Sequence, residues 1–164
     1  MARKEYKFKE VEGPMALDVT VWYKPEASNV KKPIGELSLP GRTFASAANQ
    51  LVFYLHGGNF IVGHKDLFPP TYVEALLDLG FGAIVSPNYR LSPTISAYDG
   101  AVTDSRDAYI WTQTKLPELL ATDTGVKLDP ERIVAVGHSA GGTLALLMVS
   151  KPAHRLYGDF ANLG

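Results

Sequence analysis

Residues 132–150 read RIVAVGHSAGGTLALLMVS. An apolar run of strand length meets an apolar run of helix length across five residues, Gly137-His138-Ser139-Ala140-Gly141, with no room for a loop between them. Any fold that contains both elements must bend sharply at Ser139. Glycines two before and two after the serine permit that bend, because neither brings a Cβ into it. The pattern is G-x-S-x-G. On a strand-to-helix turn it lifts the serine hydroxyl clear of the sheet and aims the free N–H groups and positive end of the following helix at it. Ser139 is therefore the candidate nucleophile. A glycine-rich turn that merely joins strand to helix, or one that cradles phosphate, has the same letters, so the motif draws its weight from the rest of the chain.

The surrounding sequence supplies that context. "LVFYL" (Leu51–Leu55) is a continuous apolar run, as expected of a strand covered on both faces, and "FGAIVSPNYR" holds another. Between them "TYVEALLDLG" places Val73, Leu76, Leu77 and Leu79 near one side of a helix that Gly80 can end. A helix is expected from about Tyr98 to Leu120, and "LDPERI" reads as one helical turn capped by Asp129. From Leu51 onward strand and helix alternate three times, which predicts an α/β fold: a mostly parallel sheet with helices on both faces. "KEYKFKEV" and "LDVTVWYK" alternate apolar with polar residues and form an antiparallel N-terminal lead-in. All 164 residues fit one domain. Residues 25–50, rich in proline and without period, are expected to be a long loop, and residues 151–164 an irregular tail.

A second signal follows the Leu51–Leu55 run. In "YLHGGNF" the glycines stand at a strand end, where backbone N–H groups can approach a substrate oxygen closely. Gly57, Gly58 and Ala140 could together donate N–H groups to an oxyanion. With "HGGN" (His56–Asn59), "YRLSP" (Tyr89–Pro93) and "GHSAGG" (Gly137–Gly142) in this order and spacing, the chain resembles the hormone-sensitive-lipase-like esterases of the α/β-hydrolase fold, from roughly Val52 to Val149. The resemblance implies Ser139 as nucleophile, Gly57, Gly58 and Ala140 as the oxyanion hole, an acyl ester or thioester as small-molecule substrate, and no cofactor or metal. Asn59 stands where the family has a third glycine, and His138 where it usually has aspartate. His138 is expected to pack under the turn and His56 to orient the oxyanion loop, with His64 and His154 at the surface. The stretch "YRLSPTISAYDGAVTDSRDAYIW" is similar to hydrolases encoded beside fungal polyketide synthases, which implies a role in secondary metabolism or toxin biosynthesis.

Composition excludes other chemistries. The absence of cysteine removes disulfides, thiolate metal sites and thiol nucleophiles. Sixteen basic and 17 acidic residues nearly cancel, so nothing marks a nucleic-acid partner. No run of 18 apolar residues is present to span a membrane, and the polar start "MARKEYKFKE" lacks the apolar core of a signal peptide, so a cytoplasmic protein is the default. Asp104 and Asp107 are read as solvated or capping residues of a helix.

The resemblance also implies something absent. In that family an acid and then a histidine follow the serine. Beyond Ser139 this chain offers only His154 and Asp159, in reverse order. The expectation is a domain truncated after the helix that follows the serine, lacking the triad acid and base. A strand that is central in the full fold, "RIVAV", would become an edge and invite homo-association. The alternative to an esterase is a catalytically inactive fragment or a binding protein derived from one.

Overall fold

The structure, a computed structural model, describes residues 1–12, 17–25, 38–39, 42–43 and 49–149. Its strands are β1 (Ala2–Lys9), β2 (Leu17–Tyr23), β3 (Ser38–Leu39), β4 (Arg42–Thr43), β5 (Leu51–Leu55), β6 (Ala83–Pro87) and β7 (Ile133–Gly137). Its α-helices are α1 (Pro70–Asp78), α2 (Thr103–Thr114), α3 (Leu116–Thr124) and α4 (Ala140–Val149). Five strands form a mixed sheet in the order β1-β2-β6-β5-β7. The parallel part is β6-β5-β7, and β2 and β1 continue it antiparallel, as the alternating lead-in predicts.

Side-chain period explains which face each strand covers. All five residues of β5 and of β6 are buried. On one face Leu51, Phe53, Leu55 and Val85 join Val19, Val21, Leu120 and Leu144 in the larger core, under α2, α3 and α4. On the other, Val52, Tyr54 and Ile84 pack with Trp22, Phe68, Val73 and Leu77 against α1. Each fully buried Leu, Val or Phe contributes about 1.5–3 kcal/mol over its exposed state. β7 differs. It lies at the end of the sheet, and its burial alternates, with Val134 42% and Val136 37% exposed.

Two local expectations are corrected. The helix expected from Tyr98 to Leu120 is a wide turn at Tyr98–Val102 followed by α2 and, after Lys115, by α3. Pro117 has no N–H to give Gln113, and its ring would crowd that carbonyl, so the ladder restarts with proline in the first turn. "LDPERI" closes a single turn, Arg132 N–H to Asp129 O at 3.2 Å, and does not become a helix. The Asp129 side chain accepts from the Glu131 N–H at 3.1 Å, as a capping residue would. However, the Arg132 carbonyl is already taken by the Leu51 N–H at 2.9 Å, so strand pairing claims the chain first.

Within the stretch expected as a long loop, β3 pairs antiparallel with β4. The rest of that stretch between residues 26 and 48, and the expected tail 151–164 with His154 and Asp159, lie outside the described residues. No helix among the described residues is long and apolar enough to cross a membrane.

Candidate active site

The turn between β7 and α4 is as tight as the sequence demands. Ser139 has φ 55°, a left-handed conformation that costs a side-chain-bearing residue about 1–2 kcal/mol. Hydrogen bonds on both sides hold it there: His138 N–H to Leu55 O at 3.3 Å, Gly141 N–H to His138 O at 2.9 Å, and Gly142 N–H to Ser139 O at 2.8 Å. The flanking glycines are set by close approach. A Cβ on Gly137 would overlap the Gly141 carbonyl, and one on Gly141 would overlap that of Leu55. Ser139 is exposed, whereas Ala140 is buried at the first position of α4. The expectation that His138 packs beneath the turn is not met: His138 is exposed, with its ring beside Gly57.

β5 delivers the second loop to the same place. A Cβ on Gly57 would stand 3.4 Å from the Ser139 Cβ and 2.8 Å from the His138 carbonyl oxygen. The structure thus brings the Gly57–Gly58 loop and the Ser139–Ala140 turn together, 82 residues apart in the chain and joined by the parallel pairing of β5 with β7.

Beneath the loop lies His56, 1% exposed. Its imidazole stacks on the Tyr89 ring, centroids 4.1 Å apart and 9° from parallel. His56 Nδ1 is 2.9 Å from the Gly57 carbonyl oxygen and 3.1 Å from the Tyr89 hydroxyl, and that hydroxyl donates to the His56 carbonyl at 2.7 Å. The partners assign the proton to Nδ1. Burial pushes the imidazolium pKa down, which keeps the ring neutral, and burial raises the Tyr89 phenol.

Sequence reasoning missed what fixes Tyr89. The neighbouring Arg90 donates from Nε, Nη2 and its backbone N–H to Asp104 at 2.8, 2.9 and 3.0 Å, and Lys9 Nζ donates to the same carboxylate at 2.9 Å. The reading of Asp104 as solvated is therefore wrong: the residue is fully buried. Burial alone would raise its pKa, but Arg90 and Lys9 outweigh that and hold it below the usual carboxylate range. Asp107 is partly exposed and pairs with Lys9 at 2.6 Å. The available signal was the Tyr-Arg pair in "YRLSP", read only as part of a motif.

Alongside the two glycines a cavity of about 1050 Å³ opens. Its walls include Tyr54, Phe68, Tyr72 and Val136, and the Tyr54 and Phe68 rings stack at 4.0 Å. Among the described residues no group of three or more His, Cys, Asp or Glu side chains is placed to hold a metal ion.

A strand–serine turn–helix beside a glycine loop, on the parallel part of a mixed sheet with helices on both faces, defines a hydrolase-type architecture. The family model described as alpha/beta hydrolase fold matches residues 52–156, and the chain belongs to that family, in its hormone-sensitive-lipase-like branch. Among solved structures it is similar to a bacterial heroin esterase (TM-score 0.65, 26% identity, 96% of this chain and 40% of that one). It shares the fold of Thermogutta terrifontis esterase 2 (TM-score 0.63, 23% identity, 92% and 47%).

Similar curated proteins include a non-reducing polyketide synthase of Stachybotrys bisbyi, 37% identical over 127 residues, which are 77% of this chain and 6% of the synthase. A second, from Stereocaulon alpinum, is 35% identical over 113 residues, covering 69% and 4%. Methylphloroacetophenone synthase of Cladonia uncialis is 39% identical over 90 residues, covering 55% and 4%. The chain therefore spans under half the length of these esterases and a small fraction of the synthases. The expectation of hydrolases encoded beside polyketide synthases is refined: the matched stretch lies within the synthase chains themselves.

Proposed function

We propose that this chain carries the nucleophile-bearing part of a serine hydrolase that cleaves a carboxylic ester or thioester. Ser139 Oγ attacks the acyl carbon and gives its proton to a base. The carbonyl oxygen becomes an oxyanion, held by the N–H groups of Gly57, Gly58 and Ala140 at the positive end of α4. Expulsion of the alcohol or thiol leaves an acyl-serine, which water then hydrolyses to the free acid. The observation that carries this reading is the exposed Ser139 at positive φ, beside a Gly57 so close that an added Cβ there would stand 3.4 Å from the Ser139 Cβ. The likeness to polyketide synthases supports a substrate from secondary metabolism, an acyl thioester or aryl ester among them.

One observation favours a second reading. Among the described residues no side-chain base hydrogen-bonds the Ser139 hydroxyl. The proton acceptor of an active enzyme would come from elsewhere, and without one the chain is an inert fragment or a binder. Loss of the triad histidine lowers turnover on the order of a million-fold in a serine protease. Treatment of the folded protein with a fluorophosphonate probe separates the two. The hydrolase reading predicts a single adduct on the Ser139 peptide, absent in Ser139→Ala, together with turnover of short acyl esters or thioesters. Folded protein that takes no label and turns over neither substrate favours the inert reading.

A further inference from the structure

We propose that Tyr89 is a positioning residue that presets the two N–H groups of the oxyanion loop, with the Ser92 N–H securing the loop's far end. This rests on the hydrolase reading for its purpose, but not for its geometry.

The carbonyl and N–H of a trans peptide point in opposite directions, so anchoring one aims the other. Three consecutive carbonyls of the loop are anchored. The Tyr89 hydroxyl donates to His56 O at 2.7 Å, which fixes the peptide whose N–H belongs to Gly57. His56 Nδ1–H donates to Gly57 O at 2.9 Å, which fixes the peptide whose N–H belongs to Gly58. The N–H groups of Ile61 and Val62 donate to Gly58 O at 3.0 and 3.1 Å. One further bond, Ser92 N–H to Phe60 O at 2.8 Å, ties the end of the loop to the segment that follows Tyr89.

The outcome is asymmetric. Every carbonyl from His56 to Gly58 is taken, while among the described residues neither the Gly57 nor the Gly58 N–H donates to a protein acceptor. Both N–H groups are turned away from their anchored oxygens, on the loop whose Gly57 stands beside Ser139. Tyr89 acts twice, as donor to the first carbonyl and as the platform under the imidazole that anchors the second. With the phenol and the imidazole both neutral, the anchors hold across the neutral pH range. Arg90, gripped by the buried Asp104, prevents Tyr89 from shifting.

The test removes one oxygen. Tyr89→Phe keeps the ring stack and loses the hydroxyl that donates to His56 O and stands 3.1 Å from His56 Nδ1. In ¹⁵N relaxation measurements the wild-type Gly57 and Gly58 amides should show order parameters near the rigid value of about 0.85, and in Tyr89→Phe they should fall toward 0.6. The Val52–Tyr54 amides of β5 should stay unchanged. Ser92→Pro, which removes the other anchoring donor, should loosen Asn59 and Phe60 in the same way, and decides the matter if Tyr89→Phe fails to fold. If the fluorophosphonate labels wild-type Ser139, its labelling rate should drop at least tenfold in Tyr89→Phe. Loop amides equally rigid in the folded variants overturn the positioning role. Wild-type protein that never labels overturns the hydrolase reading but leaves the relaxation result to decide this one.

Discussion

At the scale of single residues, the site rests on positions where chemistry and sterics leave little choice. Gly141 is one. A methyl there would drive into the Leu55 carbonyl, part of a strand that is buried along its whole length. Gly141→Ala should cost about 2–3 kcal/mol, the upper range for overpacking a close-packed site, read as a lowered midpoint of urea unfolding. An unchanged midpoint would mean the turn is looser than described.

Asp104 is another. Its carboxylate is the shared acceptor of Arg90 and Lys9, so Asp104→Asn leaves both cations without their buried partner and should cost about 3 kcal/mol. The pH dependence has a defined sign. A carboxyl whose folded pKa is depressed stabilises the protein above its unfolded value, and that contribution is lost as pH falls through the folded value. Acid unfolding should therefore be less steep in Asp104→Asn than in wild type. The sequence singles out Ser139, Gly57, Gly58 and Ala140 as candidates because a bend and a strand end demand glycines at fixed spacing. It hid Asp104, because a carboxylate on a helix is usually solvated and its two cations come from distant segments.

At the scale of elements, strand type was legible and strand order was not. β5 and β6 read as covered strands because, Ser86 apart, both alternating sets of their side chains are apolar, and the structure buries both. That β6 separates β2 from β5, and that Tyr89 at its exit reaches His56 at the exit of β5, depends on pairing between segments 33 residues apart. Local period carries no trace of that pairing.

β7 is the element with a consequence beyond the site. Its even-numbered residues face β5, as the His138 N–H to Leu55 O bond sets the phase, so the N–H and C=O of Ala135 face the edge that no described strand covers. Edges of this kind template further strands. We propose that two copies associate through this edge, burying Val134 and Val136. Light scattering behind size exclusion should then give a dimer or larger species at tens of micromolar, and Ala135→Pro, which deletes an edge donor without touching the β5 ladder, should give a monomer. A wild-type chain that is monomeric under the same conditions would dismiss the edge contact.

At the scale of the whole molecule, the mixed sheet with helices on both faces belongs to the α/β hydrolases. The loop after β5 and the turn after β7 meet because parallel neighbours end at the same edge of the sheet. That convergence is what the account of function needs, and it was legible in outline from strand and helix alternating around two glycine-rich junctions. The base that would activate Ser139 was not legible, since nothing among the described residues bonds to its hydroxyl.

The most direct test is a crystal structure of the protein after treatment with a fluorophosphonate. The account predicts phosphorus bonded to Ser139 Oγ and a phosphoryl oxygen about 2.7–3.1 Å from the N–H groups of Gly57, Gly58 and Ala140. A modified serine whose phosphoryl oxygen points to solvent, away from that loop, would contradict it, as would folded protein that forms no adduct.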